Sequence, residues 1–174
     1  MKRRTIATVL LLVFVLSGQA SAFSFFSKKS IKEMEDKVVE ILKEPDPMIS
    51  ELNFKIHSAE VHYDAKEKAM KIKCRAASVS NPGNWVQGYF YRKIPKLYNE
   101  IPKLDVIHVY METAGYYEYM IKRDDATWIG RLYFELSRKS FEKADWKRIR
   151  TDNNYSMYRD VFDYCVVNPT NVEM

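Results

Sequence analysis

Three histidines, two cysteines and twelve tyrosines are the side chains in this 174-residue sequence that chemistry would draw on first. His57 and His62 stand five residues apart, with Asp64 just beyond. Two imidazoles and a carboxylate form a donor set suited to a transition-metal ion. In a regular strand an odd separation sends the two imidazoles to opposite faces, so a His57/His62/Asp64 site requires a bulge between them. Solvated histidines account for the same spacing more simply, and no resident metal or cofactor is expected.

His108 lies within Val106–Tyr110, on the face opposite Ile107 and Val109. A carboxylate from Glu112 or Glu135 beside it would orient the imidazole as a general base. A strand histidine bonded to a neighbour explains the pattern with less machinery. The sequence has no G-x-S-x-G elbow, no G-x-x-x-x-G-K loop, no C-x-x-C pair and no H-E-x-x-H helix. Carboxylates are plentiful, but nothing sets two of them across a cleft.

Cys74 falls on the apolar face of one predicted strand and Cys165 on the apolar side of the last segment. In an oxidising compartment a Cys74–Cys165 disulfide is the expectation. Closing a span of 91 residues would stabilise the fold by about 4–5 kcal/mol through lost chain entropy. Two separate buried thiols are the alternative.

Tyrosine is concentrated after Asn81. Tyr110, Tyr117, Tyr119 and Tyr133 fall on the outward side of predicted strands. Exposed together, they would form a patch for a protein, a peptide or an envelope glycan, because each ring combines a flat apolar surface with one polar tip. The competing reading is a tyrosine-rich rim to the core. Arg138, Lys139, Lys143, Lys147, Arg148 and Arg150, interleaved with Glu142 and Asp145, read as a solvated helix face.

The elements that must position these groups follow from periodicity. Ser30 and Glu33 fit a capping box, and Ile31, Met34, Val38, Ile41 and Leu42 recur at helical spacing until Pro45 and Pro47. Leu52, Phe54 and Ile56 alternate with polar residues, with a change of phase around Ser58–Val61 that suggests a bulge. Met70, Ile72, Cys74 and Ala76 alternate with Lys71, Lys73 and Arg75, after a polar turn at 64–68. Residues 85–101 carry a helical apolar stripe interrupted by Pro95, which predicts a kink or two short helices. Strands are expected over 104–113, 116–122 and 127–137, and a turn at 123–126. A short helix should cover 138–149, and the helical reading is favoured for 153–167.

The order α-β-β-α-β-(β)-β-α-α with short polar turns predicts an α+β fold. Its antiparallel sheet of about four to five strands has helices on one face.

The amino terminus has a different character. Lys2, Arg3 and Arg4 precede an apolar run of 11 residues, Ile6–Leu16, and then Ala20-Ser21-Ala22. That is the layout of a secretory signal peptide with cleavage near Ala22, and the run is short for a membrane span of about 20 residues. Residues 1–22 are therefore expected to be a leader, 23–29 a tether, 30–168 one α+β domain and 169–174 a frayed end. Without the leader, lysines and arginines fall from 28 to 25 against 23 acidic residues, so the net charge falls from +5 to +2. So small a surplus excludes a strong case for nucleic acid. No second run approaches membrane-span length.

These features favour an exported, periplasmic or secreted domain that binds a partner or assists an envelope process without catalysis. A small exported hydrolase or metal-dependent enzyme, centred on His108 or on His57/His62, is the second reading. A secreted inhibitor or effector is the third.

Overall fold

The computed structural model describes residues 28–46, 55–77, 84–114, 127–151 and 158–168. The chain divides into two compact units, Met1–Glu33 and Met34–Met174. The second holds an α+β domain built on a five-stranded sheet in the order β1-β2-β3-β4-β5. Helix α1 spans Lys28–Lys43, and Met34, Val38, Ile41 and Leu42 are its buried residues. These four belong to the stripe predicted from spacing.

Strand β1 (Lys55–Asp64) and strand β2 (Ala69–Ala77) form an antiparallel hairpin. Its turn is set by Asp64, whose Oδ1 accepts from Lys66 N at 2.9 Å and Glu67 N at 3.1 Å. This side-chain-to-backbone turn is a common use of aspartate. Lys68 closes it with φ 53. The bulge lies between Ile56 and Ser58, slightly earlier than the phase change in the sequence suggested. His57 is the inserted residue.

Between the hairpin and the next strand, a π-helical turn, π1 (Trp85–Phe90), leads directly into helix α2 (Tyr91–Glu100), which contains Pro95. Proline has no amide hydrogen to offer the carbonyl four residues back. The expected break is realised as this change of helical type ahead of Pro95.

Strand β3 (Val106–Ala114) runs parallel to β2, and β4 (Ile129–Ser137) is antiparallel to β3. The sheet is therefore mixed, where an antiparallel one was expected. The reason is the connection. A helical segment between β2 and β3 carries the chain back to the starting end before the next strand begins, as parallel pairing demands. The strands predicted from local alternation say nothing about this crossover.

After β4 come two short helices, α3 (Arg138–Lys143) and α4 (Trp146–Thr151), where one helix was expected. Ser137 caps α3 by accepting from Ser140 N. The helix favoured for 153–167 is corrected. Among its described residues, Tyr158–Val161 is helical (α5) and Tyr164–Val167 forms strand β5, antiparallel to β4, while residues 153–157 lie outside the described residues. Pairing with the edge of β4, together with Val166 and Val167, outweighs the helical spacing of the aromatic residues. The strand predicted at 116–122, its turn at 123–126, and Leu52 and Phe54 lie outside the described residues.

The inner face carries Met70, Ile72, Cys74, Ile107, Val109 and Phe134, all buried. Helical segments cover it. Phe90 of π1 meets the Phe134 ring edge-on at 5.2 Å between centroids, and Phe162 stacks on Phe134 at 4.4 Å. Burying a side chain of that size contributes about 2–3 kcal/mol.

Polar side chains fasten the helices by their exposed carbonyls. Tyr89 donates to Leu42 O and the buried Lys93 Nζ donates to Glu44 O at 2.7 Å, so both serve the end of α1, where carbonyls lack helical donors. Arg138 is not part of a solvated face. Its guanidinium donates to Leu104 O at 3.0 Å, Tyr98 O at 3.1 Å and Ile101 O at 3.0 Å, and it lies over the Tyr98 ring.

Candidate functional site: the outer face of the sheet

The register sets the outer face. Lys71, Lys73 and Arg75 of β2 stand beside His108, Tyr110 and Glu112 of β3, and the first two of these stand opposite Glu135 and Tyr133 of β4. Glu60 and His62 of β1 face Lys73 and Lys71. The alternation that buries Met70, Ile72 and Cys74 dictates this, because every second side chain must point the other way.

At the β1 side lies an open depression of about 530 Å³, lined by Glu60, Val61, His62, Asp64, Lys71, Lys73 and Tyr110. Its charges are mostly paired. Lys71 Nζ reaches Asp64 Oδ2 at 3.2 Å and Glu67 Oε2 at 3.3 Å. The amides of the turn, Lys71 and the backbone of Lys66 together hold the Asp64 carboxyl below its ordinary range, against the opposing effect of desolvation. Lys73 Nζ lies 3.4 Å from Glu112 Oε1, and Arg75 Nε donates to Glu112 Oε2 at 2.7 Å. Lys73 also sits over the Tyr110 ring, 5.8 Å from its centroid.

The far end of the face is closed by Trp128. Its indole stacks with His57 at 5.8 Å and 14°, and the Arg75 guanidinium lies 5.6 Å from the ring centre. Trp128 immediately precedes β4, while His57 is on β1, so the side chains bridge strands that two others separate.

The structure does not gather the predicted metal site. His57 is with Trp128, His62 Nδ1 is 3.5 Å from Glu35 Oε1, and Asp64 is bonded into its turn. Five residues of extended chain separate the histidines by about 15 Å, far beyond a shared ion. Among the described residues no three histidine, cysteine, aspartate or glutamate side chains form a ligand set.

His108 is half-buried, with Lys71 on one side and Glu135 opposite. Glu135 Oε1 accepts the Tyr133 hydroxyl at 2.5 Å, and Glu112 is held by Arg75 and Lys73. Both carboxylates expected to serve His108 thus have other partners.

Tyr110 and Tyr133 do face each other on the outer side of the sheet, but they are only 8% and 9% exposed. They are not an open patch. Lys73 covers the first, and Tyr164 packs edge-to-face against the second at 5.9 Å. Burial, and then the nearby Glu112, raises the Tyr110 hydroxyl above its usual range. Burial and the bond to Glu135 raise that of Tyr133 well above it. Tyr164, which the sequence reading left aside, is 53% exposed. Tyr117 and Tyr119 lie outside the described residues.

The disulfide is corrected too. Cys74 and Cys165 are not bonded to each other. They sit on β2 and β5, with β3 and β4 between them, and three strand spacings amount to about 14 Å, twice the reach of a disulfide.

The groove's own residues, Glu60, Lys71 and Lys73, were missed as a site. Their outward alternation was visible in the sequence. What was hidden was the parallel pairing that brings Tyr110 and Glu112 beside them. Among the described residues no helix is long and apolar enough to cross a membrane. No protein-family model matches the chain, and neither a curated protein nor a solved structure matches it.

Proposed function

We propose that the chain is an exported, non-catalytic binding domain and that the β1–β2–β3 groove on its outer sheet face is the contact surface. The observation that carries this reading is the groove itself. It is a concave, polar opening in which Lys71 is fixed by an ion pair to Asp64 and Lys73 by one to the neighbouring Glu112. Side chains held that way present a preorganised surface, which limits the ordering cost of binding. The carboxylates flanking His108 are engaged in structural bonds, which favours recognition over proton transfer. The leader-like residues 1–22 and the near-neutral remainder support a place outside the cytosol.

A photo-crosslinking amino acid at His62, which is exposed on the groove wall, tests the surface in intact cells. The same probe at Glu142, exposed on α3, is the control. A defined adduct from position 62 alone, on a chain processed near Ala22 and recovered from the envelope or medium, is the expected result. Equal labelling from both positions, or an unprocessed chain in the cytosol, would defeat the proposal.

A further inference from the structure

Resting on that reading, we infer that the groove takes a cationic side chain of an extended basic peptide, with Glu60 as its counter-charge. Charge pairing around the groove leads there. Lys71 is shared by Asp64 and Glu67, Glu112 takes both Lys73 and Arg75, and Glu35 takes His62. Glu60, exposed on the groove wall, makes no such contact among the described residues. Lys73 is its direct cross-strand neighbour, and opposite charges so placed ordinarily attract. The Lys73 ammonium instead lies with Glu112 and over Tyr110. One carboxylate is therefore left without a counter-charge in an otherwise paired opening. An anionic ligand finds no cation in the groove lining that is not already shared with a carboxylate.

A peptide fits better than a sugar. Carbohydrate rings pack against open, broad aromatic faces, and the groove's tyrosine ring, Tyr110, is covered by Lys73 and 8% exposed, which leaves the small imidazole of His62. An ammonium on a long flexible stem needs no such platform. It lays its methylenes along the groove and reaches the carboxylate with its tip.

Amide-resolved NMR titration of the purified protein with trilysine, triglutamate and a glucosamine trimer tests the inference. Trilysine should shift the Val61, His62 and Lys73 amides saturably, and added salt should weaken it. Glu60→Gln should weaken trilysine binding about two- to fivefold, the range for one exposed charge pair, while Glu142→Gln leaves it unchanged. Triglutamate binding as well as trilysine, preference for the glucosamine trimer, or full affinity in Glu60→Gln would overturn it. A position-62 adduct without trilysine binding keeps the surface and discards the basic ligand. Absence of the adduct discards the surface and the inference together.

Discussion

The Glu35 carboxylate of α1 accepts the Tyr63 backbone amide of β1 at 2.9 Å and stands 3.5 Å from His62 Nδ1. Strand β1 is an edge of the sheet, and an edge strand presents unpaired backbone groups that invite association. A helix side chain here occupies one of them. It also fixes the strand that carries Glu60 and His62, so α1 supports the groove without lining it. Glu35→Ala leaves a part-buried amide unsatisfied and should destabilise the fold by about 1–3 kcal/mol. Glu35→Gln keeps an acceptor oxygen and should cost less. Urea unfolding of the three proteins checks the ranking, and equal midpoints for all three would contradict it.

Arg138 makes the opposite kind of fastening. Its planar fork satisfies the carbonyls of Tyr98, Ile101 and Leu104, where α2 ends and the chain turns toward β3. A lysine supplies one charge but cannot span three acceptors at once. Arg138→Ala should cost about 2–4 kcal/mol, because it strands carbonyls that were bonded to a charged donor. Arg138→Lys should recover less than half of that. Thermal unfolding measures both, and full recovery by lysine would show that charge alone matters at this position.

How much of this was legible in the sequence depends on how local each determinant is. The stripe from Met34 to Leu42, the alternation of Met70, Ile72 and Cys74, and the Asp64 turn are all decided within a few residues, and the α+β class follows from them. The parallel pairing of β2 with β3 is decided by a helical crossover and leaves no mark on either strand's alternation. Strand β5 was misread because Tyr158, Val161, Phe162 and Cys165 keep helical spacing, while the open edge of β4 lies far away in sequence. Arg138 was grouped with neighbouring basic residues because nothing nearby in sequence says that Tyr98 and Leu104 end beneath it. For the site, the alternation predicted which side chains point outward. It did not predict that Lys73 would cover Tyr110, since that contact spans two strands brought together by the crossover.

The separation of Cys74 and Cys165 across the sheet predicts distinct reactivities. Both thiols should take up alkylating reagent in denaturant without reductant. In the native state Cys165, which is half-buried, should react well ahead of fully buried Cys74. Desolvation pushes the Cys74 thiol up to about 12, so little thiolate exists to react at neutral pH. Mass spectrometry of singly alkylated protein reads the site directly, and a Cys74–Cys165 linked peptide would contradict the strand order.

The same burial makes the fold sensitive to alkali. The Cys74 thiol is raised from 9.0 to about 12 because burial disfavours its charged thiolate. Tyr63, Tyr89, Tyr98, Tyr110 and Tyr133 are all shifted upward, burial being the first cause in each. Tyr89 and Tyr98 also donate their hydroxyl protons to Leu42 O and Leu136 O, bonds that the phenolates cannot make. A group with a raised folded pKa binds its proton more tightly in the native state, so its stabilising effect is complete below the unfolded value and is lost as pH rises toward the folded one. Stability should therefore decline through about pH 9, as the unfolded thiol ionises, and more steeply above about pH 10, where unfolded tyrosines join it. Cys74→Ala should remove the first part of that decline and leave the tyrosine part. Urea midpoints taken from about pH 8 to about pH 11 in the two proteins separate the contributions. Parallel curves throughout would mean that the Cys74 thiol is not the group that titrates first.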